Sequence, residues 1–403
     1  MSSMYDEALR AFLKPVVPFI DDVGVTEILI NGPSDVWVER KGRLYRTEAQ
    51  FTEDGLLAAA RSMAQFVGRP LSTERPRLDA RLPDGSRIHV ILPPIARCGT
   101  TVSIRKFFPG GLTAEQLVSY GSATWEMVQL IEACVLTKLN IVVAGGTGSG
   151  KTTLLNCVSA FIPNEERIIT IEDSAELQLN QEHLVSLETR PPDDKGRNEV
   201  SIRDLLHSSL RLRPDRIVIG EVRGGECFDL LQALNTGHGG SMTTTHANTP
   251  KETLVRLESL ALLSGIELPL RAVRAQVAAA IDVVVTTERL MDGTRKITAI
   301  SEVLPLDDRG DYRVQDIYIF TQTARDPDGV QGYHAPTGVV PTFQRKLIAN
   351  GFAEYVDEYF DPTLYGLEPP QMFEGRAKVG PNAAPPLAQK STDTSIGVRP
   401  DSL

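Results

Sequence analysis

Gly145-Gly146-Thr147-Gly148-Ser149-Gly150-Lys151-Thr152 spells a complete phosphate-binding loop, GxxxxGK[ST], and its flanks decide the fold. Before it, Leu139-Asn140-Ile141-Val142-Val143-Ala144 reads as a short buried strand. After it, Thr153-Leu154-Leu155-Asn156-Cys157-Val158 opens an apolar helical pattern. Glycines let backbone N–H groups close around phosphate oxygens where a side chain would block the approach. Lys151 is expected on the β- and γ-phosphates, and the Thr152 hydroxyl on a magnesium ion. Thr153 completes the set of nucleotide contacts, and the dipole of the new helix adds positive potential to them. A strand-loop-helix of this kind predicts a nucleoside triphosphate site on an α/β sheet.

Working outward, residues 112–322 alternate helical and strand patterns, as a mostly parallel sheet flanked by helices requires. Expected apolar strands are Ile141–Ala144, Ile168–Ile171, Ile217–Ile219, Met242–Thr245 and Val283–Thr286. Upstream, Thr26–Ile30 and Asp35–Arg40 read as strands around an Asn31-Gly32-Pro33 turn, with Lys41-Gly42 as the next hairpin turn. Leu56, Leu57, Ala60, Met63, Ala64 and Val67 recur at helical spacing, and Arg87–Leu92 and Thr101–Lys106 add two strands. The organisation expected is a helical segment at 1–20, a small α/β domain at 21–107 and a linker at 108–115 around Phe108-Pro109-Gly110-Gly111. A phosphate-loop domain at 116–325, a C-terminal segment at 326–365 and a tail at 366–403 follow. That tail holds six prolines and a single aromatic, Phe373, and is expected to be disordered.

Composition narrows the partners. A chain of 403 residues, 41% hydrophobic and 23% charged, is ordinary for a two-domain globular protein. A net charge of −10 disfavours generic nucleic-acid binding. Cys98, Cys134, Cys157 and Cys227 form no CxxC pair, so reduced thiols are expected rather than a zinc site or a disulfide framework. Met1–Arg10 lacks the basic and apolar regions of a signal peptide, and no apolar run approaches the ~18 residues of a bilayer span. Any membrane role would run through a partner already there.

Acids and histidines follow the loop in order. Arg167–Asp173 ends an apolar strand on Glu172 and Asp173, and Arg213–Gly224 ends another on Glu221. Thr236–Pro250 sets His238 and His246 on either side of a short strand. Hydrolysis of a γ-phosphate needs a carboxylate to polarise water, a metal to neutralise oxygen charge and cations for the transition state. Glu221 is the expected water-orienting residue and a metal-side candidate with Thr152. Glu172 is a second acid expected to act through magnesium-bound water. His246 is expected to donate to the γ-phosphate and so to report its presence.

This order resembles the secretion ATPase superfamily, and within it the CpaF/TadA-type ATPases of tight-adherence pili. The segments carrying the resemblance are Thr26–Pro33, Leu187–Pro191, Arg213–Gly224 and Leu231–His238, and it extends over roughly residues 15–360. The resemblance implies a cytoplasmic homohexameric motor that hydrolyses ATP with magnesium. Each subunit would join a PAS-like α/β domain to a RecA-like domain. The ring would be held at the inner membrane by pilus platform proteins, and would act on pilins through them. It also implies arginines of the N-terminal domain on the nucleotide. The matching strands carry Arg87 and Arg105, with Arg81 and Arg97 as lesser candidates, and the guanidinium fork suits phosphate oxygens. Arg223 would serve a neighbouring active site or simply pair with an acid. The four-cysteine insert of type II secretion ATPases is absent. A conjugation or type IV secretion ATPase shares the same chemistry and is the near alternative. A nucleic-acid translocase is disfavoured, because Pro191–Asn198 has neither basic excess nor an aromatic.

Overall fold

The computed structural model describes residues 9–366, apart from 41, 83, 108–110, 193–194, 327–328 and 353–359. The chain forms two compact units, Met1–Gly111 with Met291–Thr294, and Leu112–Leu290 with Arg295–Leu403. Phe108–Gly110 of the expected linker, Lys41 of the expected turn, residues 1–8 and the tail from 367 lie outside the described residues.

In the first unit a short helix, α1 (Val17–Asp21), leads into β1 (Val25–Asn31), β2 (Val36–Arg40) and β3 (Arg43–Arg46). Helix α2 (Glu53–Phe66) and strands β4 (Arg77–Arg81), β5 (Arg87–Ile91) and β6 (Thr101–Arg105) complete it. The sheet order is β3-β2-β1-β6-β5-β4, with all neighbours antiparallel. Strand alternation sends Ile28, Ile30, Val36, Val38, Ile88, Val90, Val102 and Ile104 to one core with Leu56, Ala60 and Met63 of α2. The Thr52 hydroxyl accepts from the Gly55 amide 3.1 Å away and starts α2 where its apolar stripe begins.

The second unit carries a nine-stranded sheet in the order β15-β14-β13-β12-β7-β11-β10-β8-β9. Its parallel part comprises β7 (Ile141–Gly145), β8 (Ile168–Glu172), β9 (Leu184–Glu188), β10 (Arg216–Ile219), β11 (Met242–Thr245) and β12 (Val283–Arg289). Helices cover both faces: α4 (Trp125–Leu136) and α5 (Lys151–Ser159) on one, and α6 (Ile202–Ser209), α7 (Glu226–Asn235), α8 (Pro250–Leu262) and α9 (Leu270–Ala280) on the other. Along β7, Ile141 and Val143 face the first layer, and Val142 and Ala144 the second. Burial on both faces is why these strands read as unbroken apolar runs.

Two expectations about boundaries need correction. The stretch 108–115 was expected to be linker, yet α3 (Ala114–Ser119) begins inside it. A capping box, in which Thr113 and Gln116 satisfy each other's backbone amides, fixes that start. Residues from 326 were expected to lie beyond the motor domain, yet the sheet continues. Strands β13 (Arg295–Leu304), β14 (Arg313–Asp326) and β15 (Gly329–Pro336) add antiparallel to β12, and helix α10 (Gln344–Ala349) follows them.

The added strands bury a titratable group. His334 of β15 is 8% exposed, and its Nε2 lies 3.0 Å from the Ile297 carbonyl, which that nitrogen must reach as a donor. Burial, and then the charge of Lys296, push its pKa from 6.5 down to about 4. The folded state therefore resists a proton that the unfolded chain accepts. The stability tied to this group is present above about pH 6.5 and is lost as pH falls toward 4. Between pH 7 and 5 the loss should be about 2 kcal/mol. Urea midpoints of His334→Phe should fall less steeply over that window than those of the parent, and parallel slopes would remove His334 from the pH response.

Candidate nucleotide site

The phosphate loop leaves the C-terminal end of β7 and enters α5, so its backbone bends where no Cβ is present. Gly148 and Gly150 take φ values of +72° and +95°, which side chains rarely tolerate. Around it stand the C-terminal ends of the parallel strands: Glu172 closes β8, Glu221 follows β10 by two residues and His246 follows β11 directly. Open α/β sheets build sites at this edge.

Four of the expected residues meet in one continuous line. Lys151, 8% exposed, turns its Nζ back to donate to the Gly146 carbonyl at 3.0 Å, and lies 3.4 Å from Nδ1 of His246. Nε2 of His246 stands 3.0 Å from Oε1 of Glu221. Arg223 donates to the other oxygen, Oε2, and reaches toward Asp173 at 3.6 Å. Burial and the nearby Lys151 charge hold the His246 pKa below its ordinary value, with Glu221 pulling the other way. A neutral ring with Nδ1 turned to the lysine leaves its proton on Nε2, near Oε1 of Glu221 but out of hydrogen-bond line with it.

Oε1 of Glu221 carries the clearest chemical opening. It is buried, and although His246 lies within ion-pair distance, no donor among the described residues meets it with hydrogen-bond geometry. A buried carboxylate oxygen without a donor is costly until water or ligand fills its lone pair. Such an oxygen suits the polarisation of an attacking water.

Glu172 is held differently from Glu221. It is 4% exposed, and Oε1 accepts from the Glu176 and Leu177 amides at 2.8 and 3.0 Å. Its side chain also explains the Gly-Glu at the end of β10. A Cβ on Gly220 would sit 3.0 Å from Cγ of Glu172 and 3.3 Å from Oε1, so the second acid occupies the space that a side chain there would need.

For magnesium, the residues fit a site completed by substrate. Among the described residues no group of three His, Cys, Asp or Glu could hold a metal by itself. Magnesium at a phosphate loop keeps waters and phosphate oxygens and needs few protein ligands. Thr152, half-buried on the first turn of α5, and the open Oε1 of Glu221 fit that role. Glu172 fits as an outer-sphere acid, one oxygen being already committed to backbone. Thr153 is exposed on the same turn.

The arginines expected in the N-terminal unit form a row. Arg81 faces Arg87 across β4 and β5, Arg87 faces Arg105 across β5 and β6, and Arg105 faces Glu27 on β1. They lie on the face opposite the α2 core, since Ile88 and Ile104 beside them point inward. Arg81 is engaged locally, donating to the Gly85 carbonyl at 3.1 Å and lying 5.1 Å from the Phe107 ring centre. Arg97 lies outside the row, exposed in the turn before β6. His238 lies away from the acids, its Nδ1 3.2 Å from the Ala233 carbonyl at the end of α7. Sequence reasoning did not single out Arg289 and Arg295, which the β12–β13 hairpin carries to the phosphate loop. No local motif marks them.

Comparison with known proteins agrees with this architecture. Residues 10–314 match the family described as type II/IV secretion system proteins. A putative conjugal transfer protein of Mycobacterium tuberculosis is 38% identical over 291 residues, 70% of this chain and 82% of that protein. The type IV secretion system protein VirB11 of Brucella suis is 35% identical over 322 residues, 72% and 88% of the two chains. The solved pilus retraction motor PilT with bound ADP superposes with a TM-score of 0.51 at 19% identity, covering 87% and 88% of the two chains, a likeness of fold. With a complete phosphate loop, strand-end acids and a family match over three quarters of its length, the chain belongs to the type II/IV secretion system ATPase family and is an ATP-hydrolysing enzyme.

Proposed function

We propose that this chain is the hexameric motor of a pilus-assembly machine, turning ATP hydrolysis into movement of an inner-membrane platform of the tight-adherence type. The observation that carries the motor reading is the Lys151–His246–Glu221–Arg223 line at the strand ends. Its lysine rests on a loop carbonyl and its carboxylate oxygen awaits a ligand. A γ-phosphate would draw Lys151 off the Gly146 carbonyl and place His246 between phosphate and Glu221, so that the site registers whether the third phosphate is present. Thr152 would hold a magnesium ion brought in with the phosphates, with Glu221 and Glu172 beside it, and the ion would supply charge neutralisation on the phosphate oxygens. No helix among the described residues is long and apolar enough to cross a membrane, which fits docking onto a platform.

The pilus client rests on the resemblance of Thr26–Pro33 and Leu187–Pro191 to the CpaF/TadA type. A second reading, a conjugation or type IV secretion motor, draws on the names of the relatives at 35% and 38% identity. A chromosomal Lys151→Ala strain separates the two. Loss of surface pili with normal DNA transfer and protein export supports the first reading, and the reverse supports the second.

The role of the arginine row in turnover has a biochemical test. Arg87→Ala and Arg105→Ala should leave the fold intact and depress turnover by about 10-fold or more, as arginine clamps on phosphoryl groups do. Specific activity of the parent should also climb with protein concentration as rings form. Parent-like turnover in both variants at matched oligomer distribution would return the row to ordinary sheet surface.

A further inference from the structure

The hairpin joining β12 to β13 brings two arginines to the phosphate loop. Thr287 Oγ1 of β12 donates to the Ser149 carbonyl at 3.1 Å, pinning the hairpin to the loop. Beyond it, Arg295 Nε donates to the Gly148 carbonyl at 2.9 Å. A Cβ on Gly148 would lie 3.4 Å from a terminal nitrogen of Arg289, and one on Gly150 3.2 Å from Cδ of Arg295. Both side chains are half-buried. In the strand register Arg289 and Arg295 are direct partners.

Sheet order says which end of the nucleotide they face. β12 lies beside β7 on the side away from β11, β10 and β8, which lead to His246, Glu221 and Glu172. The γ-phosphate must face those acids for hydrolysis. The hairpin therefore borders the opposite end of the triphosphate. We propose that Arg289 and Arg295 are a second cationic grip on the nucleotide, holding its α- and β-phosphates from the side of the loop away from the catalytic acids. This rests on the nucleotide-binding reading of the loop and adds residues to it. Arg295 exchanges the Gly148 carbonyl for phosphate oxygen, while Arg289 approaches over Gly148, where the missing side chain leaves room. Because these phosphates are common to ATP and ADP, the grip binds both alike and retains ADP after hydrolysis.

Titration calorimetry of magnesium-ATP and magnesium-ADP against Arg289→Gln, Arg295→Gln and Lys151→Ala tests the idea. Each hairpin variant should weaken ATP and ADP by the same factor, about 10-fold, as loss of a charge-assisted hydrogen bond predicts. The thermal midpoint of Arg289→Gln without nucleotide should stay at the parent value. Arg289→Gln is the more telling variant, because Arg295 also bonds the loop backbone. Parent-like affinity in Arg289→Gln, or a loss confined to ATP, would overturn the grip. Lys151→Ala separates the two levels of inference. If it loses binding while the hairpin variants do not, the grip alone fails. If it too binds like the parent, the nucleotide reading of the loop fails with it.

Discussion

Glu221→Gln should bind ATP like the parent and lose turnover by about 10²- to 10³-fold. The amide keeps the shape of the side chain and its contact with Arg223, so the pocket need not move. It removes the negative charge that opens Oε1 to water, and it offers an amide N–H where a basic oxygen stood. Lys151→Ala should behave in the opposite sense, losing most ATP affinity because the β- and γ-phosphates lose the fixed cation of the loop. Phosphate release at saturating ATP, with binding measured in parallel, distinguishes the two. Near-parent hydrolysis by Glu221→Gln would move the water-orienting role to another acid, with Glu172 the first to examine.

The second large effect concerns stability. Arg216 opens β10, is fully buried and is anchored on four sides. Nε and Nη2 meet the two oxygens of Glu166, and Nη1 donates to the Val135 and Gly240 carbonyls at 2.9 and 3.1 Å. Arg216→Ala would leave Glu166 facing Lys138 at 3.5 Å, take the arginine donor from the Gly240 carbonyl and from the Val135 carbonyl, which keeps the Lys138 amide at 3.0 Å, and open a cavity beside the sheet. Breaking a buried pair on one side costs about 3–5 kcal/mol, a fall in melting temperature on the order of 10 °C for a unit this large. Removing both partners with apolar residues should recover part of that loss. A single substitution costing under about 1 kcal/mol would mean that water enters and replaces the guanidinium.

The central strands and the phosphate loop were legible because their causes are local. A strand buried on both faces must be apolar throughout, and a loop that wraps phosphate must be rich in glycine. Glu172, Glu221 and His246 could be placed because each lies at or within two residues of the end of such a strand, and strand ends of a parallel sheet converge on one edge. The antiparallel extension was not legible. β13–β15 mix polar and apolar residues because long stretches of β14 and β15 face solvent, and their signal falls below that of the core strands. The start of α3 was hidden for another reason. Its evidence is a reciprocal bond between Thr113 and Gln116, which depends on geometry rather than on hydrophobic spacing.

By itself the sequence determined that this chain binds a triphosphate on an α/β sheet, and in what order its acids and histidine follow. Tertiary structure alone decided how they are wired. Lys151 and His246 are 95 residues apart and meet at 3.4 Å, because β7 and β11 are parallel neighbours. Arg295 reaches Gly148 across 147 residues because β12 pairs with β7 on its other side. The Arg81–Arg87–Arg105 row exists because three strands share one register. Chain order fixes which groups are available, but contacts between groups far apart along the chain are set by which strands pair and in what register. That pairing is chosen by the burial of whole faces, and no short stretch of sequence carries it.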